Sequence, residues 1–391
     1  MTSINSLSGL SATTYSSAAR AAGKGEQLPM PPMPPMPPTP EKKGDCPPIP
    51  VLPLYNKVEF KEIVVTSEDV KVTFFVENKE LFNTPEETGK LIVIADLVRQ
   101  LNPYVHGEPV LKVRILDTQE FIGEYLSAEH EILLSKKVLN EADYLHTIAH
   151  EMGHAIDCSM PKDKEFWQKL YIYSLGFGRY GLVADSNYTL TGGYYGHPFR
   201  GSHELFASAF AAYVMHPEEL LECINDPGLL ESTRLMGKIL YCYIRDNIFG
   251  GRVFGKEDPF KAFSANELFD SITEEDIYLS IASALRDRTS CAHHQSVANR
   301  AAGILLSLAM KDDRYFRLLA ASAKDNDVGL RKRIILEIGS SGIKEERLNC
   351  ILIGALRDKN ELIRGYAEAT LKYRGIEVRR NIFARIIDAI F

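Results

Sequence analysis

The sequence has no apolar run approaching the roughly 20 residues needed to cross a bilayer, so no membrane span is expected. It has a single tryptophan, and its six cysteines (Cys46, Cys158, Cys223, Cys242, Cys291 and Cys350) are scattered without C-x-x-C spacing. That scatter excludes a cysteine zinc knuckle and points to free thiols. A large excess of basic charge is also missing. The net charge is −7, so nucleic acid is not an expected partner. The first 24 residues lack the apolar core of a conventional signal peptide. What is present is an ordinary globular composition, 45% hydrophobic and 25% charged over 391 residues. That length accommodates two domains plus tails.

Residues 1–50 read as a disordered tail, Ser/Ala-rich at first and then Pro-rich. The stretch Leu28 to Pro40 repeats a Met-Pro-Pro unit, which favours polyproline II and supplies few donors for a sheet or helix. It is expected to be a stiff spacer or a docking ligand. Polar, Ser-rich amino termini also occur on bacterial proteins exported by needle-type (type III-like) machines. A secreted protein is therefore the expectation, with a cytoplasmic one as the alternative.

From Tyr55 the pattern becomes that of a folded domain. Lys61–Ser67 and Val70–Glu77 are β-branched and aromatic runs around a turn, and Val110–Leu116 is a third strand. Thr84-Pro85-Glu86-Glu87 carries the cap, first-position proline and acidic turn of a helix running to about Leu101. Gly123–Leu126 and Glu131–Leu134 flank a polar turn and read as a hairpin.

The central motif is His150-Glu151-Met152-Gly153-His154. On a helix the two histidines lie about 40° apart around the axis and reach one metal ion from the same face. Glu151 sits beside them as the general base, which is the H-E-x-x-H arrangement of zinc hydrolases. Asn140 is the expected N-cap, and Leu145, Ile148, Met152 and Ala155 give the helix an apolar face. A catalytic zinc needs a third protein ligand. Position 160 is a methionine, so the close-range histidine pattern fails. Glu204 is the best remaining candidate, with His203 the other, at the start of an Ala-rich helix expected from Ser202. Between the two helices, residues 176–201 hold seven glycines and four tyrosines, and a loop of that length reads as a cleft wall.

The sequence His150-Glu-Met-Gly-His-Ala-Ile-Asp157, followed by Glu204-Leu-Phe-Ala-Ser-Ala-Phe210, resembles the catalytic domain of anthrax lethal factor and the related Pro-Pro endopeptidases. The likeness covers about residues 51–247 and is specific at the two motifs. It implies a zinc endopeptidase whose third ligand is Glu204, and Asp157 then serves to hold a ligand imidazole. The family also places a tyrosine about two turns before that Glu to stabilise the tetrahedral intermediate. This chain has His197 at that distance, with Tyr194 and Tyr195 slightly further back. Tyr195 is the expected donor, because a phenol stays protonated across neutral pH.

Beyond residue 275 the chain repeats. Val297, Ala301 and Leu305 line up with Leu330, Ile334 and Ile338, then with Ile363, Ala367 and Leu371, at a spacing of 33 residues. Two helices per unit at this period resemble HEAT-type repeats. Asp276 onward carries 20 basic and 14 acidic residues, a net +6, which leaves −13 for the remainder. An acidic partner for the repeats is one consequence.

The expected architecture is thus an α+β zincin-like metallopeptidase domain (51–250), a connector (251–275) and an all-α stack of HEAT-like repeats (276–391). The expected function is Zn²⁺-dependent cleavage of a protein or peptide substrate by His150, His154, Glu204, Glu151 and Tyr195, with the repeats recognising substrate or partner. The alternative is a repeat-based interaction protein whose metal site is inactive or structural.

Overall fold

The computed structural model describes residues 60–376 except 69, 78–81, 119–121, 142, 161–163, 178–200, 229–230 and 287–296. The expected tail, Tyr194, Tyr195, His197 and the end of the expected repeats, residues 377–391, lie outside the described residues.

Strands β1 (Lys61–Ser67) and β2 (Val70–Val76) form an antiparallel pair that matches the two β-branched runs. Helix α1 (Pro85–Leu101) follows. Its start is fixed by a capping box in which the Thr84 hydroxyl accepts from the Glu87 amide and the Glu87 carboxylate accepts from the Thr84 amide. The chain then returns as β3 (Lys112–Leu116), parallel to β2, and as the hairpin β4 (Gly123–Leu126) and β5 (Glu131–Ser135). Because β5 pairs in parallel with β3, the sheet order is β1-β2-β3-β5-β4. β4 therefore becomes an edge strand. Helix α1 packs on β1 and β2, burying Leu91, Ile94, Val98 and Leu101.

Helix α2 (Tyr144–Ser159) lies beside α1 and against β4. It starts later than expected. Asn140 ends a short 3₁₀ turn, Val138–Asn140, and caps nothing. Asp143 occupies the cap position, but its side chain makes no capping bond and instead meets His216 at 2.8 Å. A tertiary hydrogen bond has displaced the local one. Helix α3 (Lys164–Phe177) is buried on most of its circumference, as expected of a helix between two layers. It carries the lone Trp167, packed edge-on against Phe206 of α4 (Ser202–Met215) at 5.3 Å between ring centroids.

Helices α5 (Pro217–Asn225) and α6 (Glu231–Tyr243) follow, and a π-helical turn, Ile244–Ile248, ends α6. The next segment packs closely. The buried Arg245 guanidinium pairs with Asp246 and Asp258 and donates to the carbonyls of Phe260 and Phe263, while Phe249 stacks on Phe210 and Tyr213.

The rest is helical: α7 (Ala265–Asp270), α8 (Glu274–Ala284), α9 (Val297–Ala309), α10 (Asp313–Ser322), α11 (Val328–Ser340), α12 (Glu346–Ala355) and α13 (Glu361–Tyr373). The 33-residue period falls on α9, α11 and α13, and all nine residues that mark it are buried. The turns repeat atom for atom. Asp327 and Asn360 cap α11 and α13, and Arg331 and Arg364 each donate to the two backbone carbonyls that begin their own turn. Arg331 also forks onto Asp358 of the next turn, at 2.6 and 2.9 Å. A mixed sheet with helices is thus followed by an all-α region. Among the described residues, no helix is long and apolar enough to cross a membrane.

The Arg331 fork holds the Asp358 carboxyl below its ordinary value of 3.8. Its stabilisation is therefore complete above that value and lost as the pH falls through the depressed one. Asp358→Asn should cost about 1–3 kcal/mol at neutral pH, because Arg331 loses its charged acceptor in a mostly buried site. Thermal unfolding of the two proteins should then converge in strong acid. A difference that is the same at both pH values would remove the carboxylate from the account.

Candidate metal centre

The site depends on how closely two helices approach. A Cβ added to Gly153 of α2 would lie 2.9 Å from the Cα of Ala207 of α4, nearer than real Cβ atoms come. Only a glycine facing an alanine permits this contact. The helices run antiparallel, since Gly153 meets Ala207 while Asp143 meets His216. Glu204, in the first turn of α4, is thereby carried to the histidines of α2.

His150 Nε2 lies 3.3 Å and His154 Nε2 3.4 Å from the same Glu204 oxygen, Oε2. The three ligand atoms all fall within 4.8 Å of one another, and the two imidazoles stand nearly perpendicular. These separations test the fit of a cation. Ligand atoms about 2.0–2.1 Å from a tetrahedral zinc lie roughly 3.3–3.4 Å apart along the tetrahedron's edges. The donor set, two borderline-soft nitrogens and a hard oxygen, also suits it. The cluster can therefore coordinate a metal ion, and with its H-E-x-x-H spacing it is of the kind typical of zincin metalloproteases.

Electrostatics favour the same occupant. Burial works against a charged His154, but the hydrogen bond to Glu204 and the carboxylates of Glu151, Glu204 and Asp157 outweigh it and raise its pKa above 6.5. A field that holds a proton on an imidazole also attracts a cation.

Of the residues expected to act, the structure brings together His150, His154, Glu204 and Glu151. Glu151 is 5% exposed and lies beneath the edge strand. A Cβ at Gly123 of β4 would sit 2.7 Å from Glu151 Oε1. Asp157 is buried on the same helix. His203 stays outside the cluster. Its side chain is 57% exposed, and its Nε2 approaches Glu204 Oε1 only to 3.7 Å. Tyr195, with Tyr194 and His197, belongs to the stretch that is not described.

Two features escaped the sequence reading. The hairpin is expected by position to offer one arm to an extended substrate, but that expectation does not single out the close approach of Gly123 to Glu151, although a glycine inside a strand is a known sign of close approach. Asp143, His146 and His216 form a second group whose ligand atoms lie within 4.8 Å of one another. Its one sequence signal is the recurrence of histidine every four residues at 146, 150 and 154. Comparison of the chain with protein-family models, with curated proteins and with solved structures returns no match.

Gly153→Ala should wedge α2 from α4 at an overpacking cost of about 1–3 kcal/mol, which corresponds to roughly tenfold to hundredfold weaker metal binding. Competition against a chromophoric chelator measures this. Unchanged affinity would show that the interhelical contact does not set the site.

Proposed function

We propose that the chain is a zinc-dependent endopeptidase acting on a protein or peptide substrate. One observation carries the reading: Glu204 Oε2 stands a zinc tetrahedron's edge length from the Nε2 of both His150 and His154, with Glu151 beside them under the edge strand β4. A structural zinc site fills its fourth position with another protein ligand and needs no base.

His150, His154 and Glu204 would hold the ion. When bound, zinc acts as a Lewis acid, polarising a carbonyl and acidifying water. Glu151 takes the proton of the attacking water on its carboxylate and delivers it to the departing amine nitrogen. Asp157 keeps the ligand imidazoles in a negative field. β4 has no partner strand on its outer side among the described strands, so an extended peptide can pair with it by main-chain bonds. The glycine at position 123 keeps that backbone close to Glu151. Tyr195 is assigned as the donor to the carbonyl oxygen as it becomes negative. The likeness to lethal factor and the Pro-Pro endopeptidases at both motifs supports the assignment of Glu204 as ligand. The C-terminal helices, read as HEAT-like repeats, serve substrate or partner recognition. The polar first 50 residues fit an exported effector.

The test separates base from ligands. Glu151→Gln should keep about one equivalent of zinc at this site while peptide hydrolysis falls by several orders of magnitude. His154→Ala should lose both that zinc and the activity. A wild-type protein that holds zinc here but cleaves nothing in a broad peptide library would favour the second reading, an interaction protein whose repeats do the work.

The oxyanion donor has its own test. Tyr195→Phe should lower kcat by roughly ten- to a thousand-fold with zinc content and KM nearly unchanged, as for a contact made only in the transition state. Full activity in Tyr195→Phe together with its loss in His197→Ala would move the role to His197.

A further inference from the structure

The antiparallel pair α2–α4 is clasped at both ends. At the end away from Glu204, Asp143 precedes α2, His146 lies in its first turn, and His216 closes α4 and opens α5. Each offers one ligand atom, all three within 4.8 Å of one another. We propose that Asp143, His146 and His216 form a second divalent-cation site, distinct from the one built on His150, His154 and Glu204.

Three observations support it. His146 is 3% exposed, so an imidazole has been carried out of water to a place where it faces another imidazole and a carboxylate. The rings of His146 and His216 are 5.3 Å apart and tilted by 41°, which brings their nitrogens towards one point without stacking them. His216 already engages the carboxylate of the group. Its Nε2 meets Asp143 Oδ2 at 2.8 Å, while its Nδ1 lies 3.6 Å from Glu219 Oε2.

The present contact fits as the proton-filled form of this site. Two ligands of one zinc stand about 3.3 Å apart. Replacing the proton between Asp143 and His216 by a cation thus asks for a movement of only about half an ångström. Two imidazoles and one carboxylate select a borderline ion such as Zn²⁺ over Mg²⁺ or Ca²⁺. The Asp143 side chain is 44% exposed, which opens the remaining position to water and to exchange.

This site is no partner in chemistry. Asp143 and His146 together lie on average about 7–8 positions before His150 and His154, or roughly 11 Å along the helix direction, against about 3.5–4 Å in two-metal catalytic centres. Its role is mechanical. The cation ties the start of α2 to the end of α4 and fixes their register.

The experiment uses the full chain, stripped of metal, equilibrated with Zn²⁺ at neutral pH and analysed for bound zinc and unfolding temperature. Wild type should hold two equivalents. Asp143→Asn, His146→Gln and His216→Gln should each hold one, and zinc should raise their unfolding temperature less than that of wild type. His154→Ala should also hold one, and His154→Ala combined with His216→Gln none. A wild-type stoichiometry of one, abolished by His154→Ala and untouched by His216→Gln, overturns the proposal without needing any clasp variant to fold. The converse, one equivalent abolished by His216→Gln and untouched by His154→Ala, would support this site and sink the catalytic one.

Discussion

The contact of Gly153 with Ala207 is the constraint on which the rest depends. At an ordinary helix separation of about 8–10 Å set by larger side chains, a carboxylate as short as Glu204's would not reach both imidazoles. The Ala-rich sequence of α4 follows from the same need. Its residues Leu205 to Val214 are buried without exception, and its small members let α2 lie on one side while Trp167 of α3 packs on another. The metal motif and the alanines opposite it are therefore one design, although they are separated by about fifty positions in the chain.

The sheet contributes through its edge. Strands β2, β3 and β5 have neighbours on both sides and β1 and β4 form the two edges, and of these edges β4 is the one beside Glu151. The hairpin that presents β4 also places a glycine where any side chain would strike the carboxylate. The open edge and the close approach to Glu151 thus belong to the same four residues.

Local signals made much of this legible. The β1–β2 pair and α1 could be read to within a residue or two because their information is short-range: β-branched runs, a turn, and a capping box at Thr84 and Glu87. The repeats were legible because periodicity survives any ignorance of packing. The start of α2 was not, since Asn140 has the residue type of a cap and only the distant His216 decides what Asp143 does. The convergence of His150, His154 and Glu204 could be anticipated from the count of ligands a catalytic zinc requires. The second cluster could not, because 73 positions separate Asp143 from His216 and no ligand rule spans them.

Helix α3 has a further consequence. A Cβ on its Gly176 would lie 2.5 Å from the Cα of Ser280, so α3 and α8 touch backbone to backbone, and α8 spans the boundary expected at residue 276. Stacked helical repeats have an apolar face at each end that must be covered, and dedicated capping units usually do so. Here α3 takes that place at the front of the stack. Helix α3 of the sheet-bearing region and α8 of the all-α region thus cover each other's facing surfaces.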